Sequence, residues 1–389
     1  MKNYYCSQKF YQLKIDAEKK TINSCCKADG ENINTTWLQK NPGQIFNTPK
    51  LIQERKDMLK NIRIAGCENP CWKTEDNGLW SRRLKHNTHK KTITKLSNKP
   101  SHLDITLGSE CNLACSYCCK DFSSSWRREI EQNGPLENLD DYKNRFTLSS
   151  FDKALKKLSQ KKKNSLKIFT LIEKEIDIMK DNLTSITITG GEPFLHYRFP
   201  ELIDKFKNVK YLTVYSGLGV STAVLKRGLD ALSKNQNVDL CISAESIGKN
   251  FEFNRYGSKW RTFLQHIEII ESYGINIIFN MSYGNLNVGD FVNFNNYFYK
   301  YKKKLNMIDS PVFMSAYNLD DESKDNVIRT ITDSEYSDSQ DAKLLVQTLR
   351  HQTNEKLRMQ ISTFVKQMCK RRDINIDFMP SSFRKWIDL

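Results

Sequence analysis

The run Cys111-Asn-Leu-Ala-Cys115-Ser-Tyr-Cys118 sets three thiols at spacings of four and three residues, within reach of one loop wrapped around a single metal centre. Nothing else in the chain limits the fold as strongly, because the flanking elements must hold that loop in place and leave one side of it open. Iron–sulfur clusters are held by thiolates, and a cubane contains four irons. Three cysteines therefore leave one iron without a protein ligand, and a reactant can bind there. A structural zinc site is normally closed by four protein ligands. The only nearby candidate is Cys119, which is adjacent to Cys118 and sterically awkward as a co-ligand.

The surrounding pattern is α/β. His102 to Leu107 alternates as a strand and runs directly into the thiol loop, which puts the loop at a strand's C-terminal end, where α/β barrels keep their active sites. Lys167 to Lys180 has amphipathic helical spacing. Thr184 to Thr189 is a β-branched strand that ends in Gly190-Gly191-Glu192-Pro193. Two glycines let backbone approach a ligand closely, and their carbonyls or Glu192 can accept from a cationic amine. Further strands are expected at Lys210–Tyr215, followed by Ser216, at Val238–Ser243, and at Ile275–Met281. Helices are expected at Ala223–Leu232 and Trp260–Tyr273. Such alternation indicates a parallel sheet. His196 reads as a packing or surface histidine, and Cys241 as a small buried hydrophobe within a strand.

The three-cysteine loop, with Tyr117 just before its last thiol, and the glycine-rich strand end downstream resemble the radical S-adenosylmethionine (SAM) superfamily. The resemblance implies a partial (β/α)6 TIM-like barrel over residues 102–310 with a helical C-terminal region over 311–389. It implies that the open iron of a [4Fe–4S] cluster on Cys111, Cys115 and Cys118 is chelated by the amino and carboxylate groups of SAM. Cleavage of SAM would then release a 5′-deoxyadenosyl radical, with an electron supplied by a donor such as flavodoxin or ferredoxin. It assigns Tyr117 and the Gly190, Gly191, Glu192 and Pro193 strand end to SAM, the latter against the methionine amino group. Ser243, Glu245 and Arg255 would meet the cofactor's ribose and carboxylate, and Ser216 would be a further cofactor-binding residue. Glu245 departs from the Ser-x-Asp usual in relatives, which weakens the ribose contact.

Residues 1–81 carry a second set of thiols. Cys6 precedes an alternating strand at Phe10–Asp16, and the chain returns through Thr21–Ser24 to Cys25-Cys26. A helix is expected from Ile45 to Lys60, with Pro49 in its first turn. Cys67 and Cys71 follow, then Trp72, Glu75, Gly78 and Ser81. Cys6, one of Cys25 or Cys26, Cys67 and Cys71 suffice to close a site, and the sequence does not separate four-sulfur zinc from iron–sulfur. The stretch resembles the SPASM and twitch auxiliary-cluster domains of radical SAM enzymes, which implies an auxiliary [4Fe–4S] cluster. Residues 82–101 form a basic linker: from Asn77 to Leu103 there is no acidic residue, against Arg82, Arg83, Lys85, Lys90, Lys91, Lys95 and Lys99. It reads as a solvated connector, the rival being a surface for an anionic substrate. The segment Ser123-Ser-Ser-Trp126 after the loop carries no assignable chemistry, and Cys369 reads as a bystander.

With 39% apolar and 27% charged residues the composition is that of a globular protein. No run of about 18 apolar residues exists and the N-terminus lacks an apolar signal core, so neither membrane spanning nor export is expected. Eleven cysteines without an export signal read as metal ligands in a reducing, cytoplasmic setting. The net charge of +16 accompanies abundant Lys, Asn and Ile and is read as compositional, with an anionic partner as the rival. The resulting expectation is a radical SAM enzyme acting on a peptide. A nucleotide or nucleic-acid substrate is the alternative, and a non-catalytic iron–sulfur or zinc protein that binds nucleic acid is the reading from a different class.

Overall fold

The computed structural model describes residues 4–25, 28, 30–76, 78, 81–88, 96–139, 146 and 162–387. The chain forms two compact units. The first is Met1–Gly108, Leu158–Val214 and Asp230–Asp239; the second is Ser109–Lys157, Tyr215–Leu229 and Leu240–Leu389.

In the first unit, strands β1 (Gln12–Asp16), β2 (Thr21–Asn23), β3 (Glu31–Asn32), β4 (His102–Thr106), β5 (Ser185–Thr189) and β6 (Tyr211–Ser216, its last two residues in the second unit) lie in the order β3-β2-β1-β4-β5-β6. The first three are an antiparallel meander, whereas β1, β4, β5 and β6 pair in parallel. Period-two alternation sets the register. Leu13 and Ile15 pair with Leu103 and Ile105, these pair with Ile186 and Ile188, and those in turn with Leu212 and Val214. All eight are buried. A one-residue slip would turn that row to the opposite face, so the thiol-bearing front segment is locked to the sheet by β1.

The helix expected from Ile45 starts later, at Pro49, and ends at Leu59. Thr48 is extended and its hydroxyl accepts from the Leu51 N–H, while Pro49 occupies the first helical position, where its missing donor costs nothing. Ile45–Asn47 is a separate 3-10 turn. Arg55 is fully buried behind it, donating to the Phe46 carbonyl at 3.0 Å and to Asn47 Oδ1 at 2.6 Å.

The second unit contains β7 (Val238–Ser243, its first two residues in the first unit), β8 (Asn276–Tyr283) and β9 (Lys302–Met307), in that order, with β8 and β9 parallel. The sequence hides β9, because three consecutive lysines blur its alternation. As an edge strand it gains from them, since lysine on an exposed edge discourages pairing with another chain. Phe263, Phe279, Phe294 and Phe298 pack together, with Phe279 and Phe298 ring centres 4.4 Å apart. The acidic stretch after Ser315 contains a helix, Asp321–Thr332, because Asp320 caps it by accepting from the Ser323 N–H at 2.8 Å. No pairing among the described residues closes either run of strands, so the fold class is the open, parallel α/β arrangement of a partial barrel. No helix among the described residues is long and apolar enough to cross a membrane.

Candidate active site and metal centres

In the second unit the thiol loop is fixed through its backbone, so its side chains are set by elements far away in sequence. Ser123 Oγ donates to the Leu113 carbonyl at 2.6 Å, and Ser124 and Ser125 Oγ both donate to the Cys111 carbonyl. Trp126 Nε1–H donates to the Cys115 carbonyl at 2.8 Å. These residues open the helix Ser124–Asn133, and Ser123 also caps it. From the helix Glu355–Arg372, Arg372 donates to the Ala114 carbonyl at 3.0 Å, is held by Glu129, and stacks on Tyr256 at 4.1 Å. The N–H groups of Ala114 and Ser116 donate to the carbonyls of Tyr256 and Asn254, and Ser116 Oγ donates to Asn254 Oδ1 at 2.9 Å. Gly257, at φ +99°, comes so close that a Cβ there would lie 2.7 Å from the Asn112 carbonyl oxygen. Cys111 and Cys115 are buried and Cys118 is half-buried. Burial pushes the Cys115 thiol up and Arg255 partly offsets it, while Cys118 is raised by burial and by its fellow cysteines.

Tyr117, Glu245 and Arg255 form a closed set behind this loop. Arg255 is paired with Glu245 at 2.8 Å and donates to the Tyr117 hydroxyl, which in turn donates to both Glu245 oxygens at 3.3 Å. Arg255 Nη1 is also 3.9 Å from Cys115 Sγ. Burial pushes Glu245 up against the pull of Arg255, and the carboxylate reverses the loss that burial would impose on the guanidinium. Glu245 thus meets Arg255 directly. Ser216 is buried, its Oγ accepting from the Leu218 N–H at 2.9 Å, and Ser243 is half-buried at the end of β7.

The glycine strand end lies in the first unit. The Gly191 N–H donates to the Gly108 carbonyl at 2.7 Å, and a Cβ on Gly190 would lie 2.9 Å from that same oxygen. Gly108 is three residues before Cys111 in the chain. Glu192 is buried and accepts from the Phe194 N–H, capping a 3-10 turn that starts at Pro193. His196 packs beside the Phe169 and Tyr197 rings. Burial, then Arg198, lowers its pKa from 6.5 to about 4. The folded chain therefore resists a proton that the unfolded chain accepts, so its contribution is intact above pH 6.5 and is lost as pH falls toward 4. His196→Phe should flatten the dependence of the urea midpoint on pH within that window; an unchanged slope would contradict the assignment.

The front thiols gather in the first unit. Cys6, Cys25, Cys67 and Cys71 line one cavity of about 10 Å³ together with Lys9, Arg82 and Arg83. Of the Cys25-Cys26 alternatives, Cys25 lines it, and Cys26 lies outside the described residues. Burial raises Cys6 to about 11 and Cys67 to about 12, and it raises Cys71 as well. Lys9 is buried beside them and paired with Glu54. Arg83 is paired with Glu75, donates to the Tyr5 carbonyl at 2.7 Å, and lies 4.9 Å from the Trp72 ring centre. Ser81 also donates to Glu75. Arg83 is thus an internal strut and not a solvated connector charge. The linker begins as a helix, Arg82–Asn87, whereas Lys90, Lys91 and Lys95 lie outside the described residues.

Residues 105–297 match the model of the radical SAM superfamily. The chain carries a radical SAM domain. Over 99 residues it is 31% identical to the GTP 3′,8-cyclase of Synechocystis sp., a stretch that makes up 25% of this chain and 30% of that protein. It is similar to Streptococcus suis SuiB bound to S-adenosylmethionine, at 12% identity and a TM-score of 0.35 over 85% of this chain and 68% of that one. It is similar to anSMEcpe with bound AdoMet, at 16% identity and a TM-score of 0.39 over 61% of this chain and 58% of that one.

The donor set of the radical SAM domain fits its cofactor: three sulfurs on one loop, one fewer than a closed zinc site uses. The four front thiols line one cavity and match in number the sulfurs that a four-sulfur centre uses, and the cations beside them would offset thiolate charge. Among the described residues no three His, Cys, Asp or Glu side chains are arranged to hold one metal ion. Sequence reasoning missed Ser123, Ser124, Ser125, Trp126 and Arg372, whose work is to satisfy loop carbonyls. The serine run preceding a helix was the available signal; for Arg372, 258 residues from its acceptor, there was none.

Proposed function

We propose that the chain is a radical SAM enzyme that acts on a peptide, with Cys111, Cys115 and Cys118 holding the catalytic cluster. The observation that carries this is the thiol loop, which is short of a fourth ligand and has its carbonyls tied down by Ser123, Ser124, Ser125, Trp126 and Arg372. Cys111, Cys115 and Cys118 would hold a [4Fe–4S] cluster with one open iron, and the chemistry this group would supply is one-electron cleavage of S-adenosylmethionine followed by hydrogen abstraction from the substrate. Fixing the carbonyls keeps the loop from refolding around a fourth donor. Arg255, neutralised by Glu245 and held by Tyr117, places a donor beside the Cys115 sulfur and favours its thiolate. The Gly190 strand end, Ser216 and Ser243 would bind the cofactor's polar groups, Gly190 through backbone that no side chain shields.

The peptide reading is supported by the resemblance of residues 1–81 to auxiliary-cluster domains, and the front thiols would hold that second cluster. A nucleotide is the second reading, favoured by the similarity to a GTP cyclase. Flavodoxin or ferredoxin would supply the electron. A cytoplasmic setting belongs to this reading, because thiolate ligands persist where thiols are kept reduced. The test is 5′-deoxyadenosine formation by anaerobic, reduced, reconstituted protein, measured alone and with a peptide library, GTP or oligonucleotides. Acceleration by peptides is expected. Acceleration by GTP or oligonucleotides alone would replace the peptide reading, and no product under any condition would leave a non-catalytic metal protein.

A further inference from the structure

Beside the thiol loop, within the second unit, lies a cavity of about 240 Å³ that the radical chemistry does not use. Its wall includes Asn112 and Ala114, the chain neighbours of Cys111 and Cys115. The same cavity is lined by Ser125, Arg128, Gln132 and Asn133 of one helix, by Arg371 and Arg372 of another, and by Tyr256 and Gly257. The lining is mainly polar, with three arginines against the single carboxylate of Glu129.

We propose that this face is the docking site of the electron donor, a small redox protein with an acidic surface. The proposal rests on the radical SAM reading above, since that chemistry needs one electron from outside for each cleavage. The donor is oxidised by one electron and the cluster reduced by one. Proximity is the first argument. A partner seated on exposed Asn112 is one peptide unit from Cys111, and Ala114, buried behind it, is one peptide unit from Cys115. From Ala114 onward, Arg372 and Trp126 bind consecutive carbonyls of the same loop.

The way the arginines are held is the second argument. Arg371 donates to the carbonyls of Gly134 and Pro135, and Arg372 to Glu129 and Ala114. Their donors are committed, so they offer field and not a fork for a small anion's oxygens. Arg128 is exposed at the rim, with Gln132 and Asn133 beside it. Arg128 donates to Ser125 Oγ at 2.8 Å and Asn133 to the Glu129 carbonyl at 3.1 Å, so the rim too presents charge on held side chains, which suits a transient, electrostatically steered protein contact in which charge sets the association rate and salt screens it.

The experiment compares Arg128→Glu, Gln132→Glu and the double variant with the unmodified chain, reading 5′-deoxyadenosine from SAM. One arm is driven by reduced flavodoxin and the other by dithionite. With flavodoxin, the double variant should raise the KM for donor by about tenfold at low salt, the gap shrinking as ionic strength rises. With dithionite, rates should stay within about twofold of the unmodified chain. Equal flavodoxin kinetics in all forms would overturn the proposal. So would a parallel fall in both arms, which would assign these residues to holding the loop. If the unmodified chain makes no product with either reductant, the radical SAM reading itself fails.

Discussion

Changing Cys111, Cys115 and Cys118 together to Ala is expected to reduce 5′-deoxyadenosine formation to the level seen without protein, while iron held elsewhere in the chain is retained. The expected size follows from coordination: without thiolates no iron remains at which SAM can be chelated, so nothing of the electron-transfer route survives. The fold should tolerate the change. The loop's position rests on Ser123, Ser124, Ser125, Trp126, Asn254 and Arg372, all of which bind its backbone or Ser116, and none touches a thiol through these bonds. Circular dichroism and the cooperativity of unfolding should therefore match the unmodified chain loaded only at its front thiols. Product above background from the triple variant would show that the radical centre lies elsewhere, and global unfolding would show that the thiols hold the domain together.

How much was legible in the sequence depended on whether chemistry or geometry dictated the residue. The thiol loop could be read because iron demands sulfur and the spacing is short. Gly190 could be read as letting backbone approach a ligand, and the close approach on display is to backbone, a Cβ there lying 2.9 Å from the Gly108 carbonyl oxygen. Strands β4 to β8 could be read from alternation. By contrast, β9 carries three lysines, and its identity is settled by parallel pairing with β8. Ser123 to Trp126 looked inert because their task is to saturate carbonyls, which any small polar run might do. Arg372 lay in a tail that the pattern reduced to amphipathic helix. Glu245 could be located but its bond to Arg255 could not, since that pairing is made where both charges are buried. Truncating Arg255 would leave that carboxylate buried and unpaired, a cost of about 3–5 kcal/mol in comparable cases. The pair is therefore structural as well as chemical.

The second large effect is expected at Cys6, Cys25, Cys67 and Cys71. Anaerobically reconstituted protein should contain about eight irons per chain, the sum of two four-iron clusters. Cys67→Ala with Cys71→Ala should lower this to about four. The same change should also expose residues 1–81 to proteolysis. That segment packs Tyr5, Phe10, Met58, Ile64 and Trp72 with Cys6, Cys67 and Cys71, so a metal held there would sit at the centre of a small core. Metal ligation in such settings is folding energy; for structural zinc in finger peptides it amounts to about 10–16 kcal/mol. The protonation argument gives an independent readout. Burial holds Cys6 near 11, Cys67 near 12 and Cys71 above its ordinary value, so all three are thiols at neutral pH and must lose protons to bind metal. Loading should release about three protons or more, and affinity should rise with pH and fall as the medium is acidified. Lys9 and Arg83, both buried at the cavity, would then face thiolates they help to neutralise. The competing occupant is a single zinc ion, which four thiolates also close. About four irons and one zinc per chain, with the zinc lost in the Cys67 and Cys71 variant, would overturn the auxiliary cluster and leave residues 1–81 a structural role only.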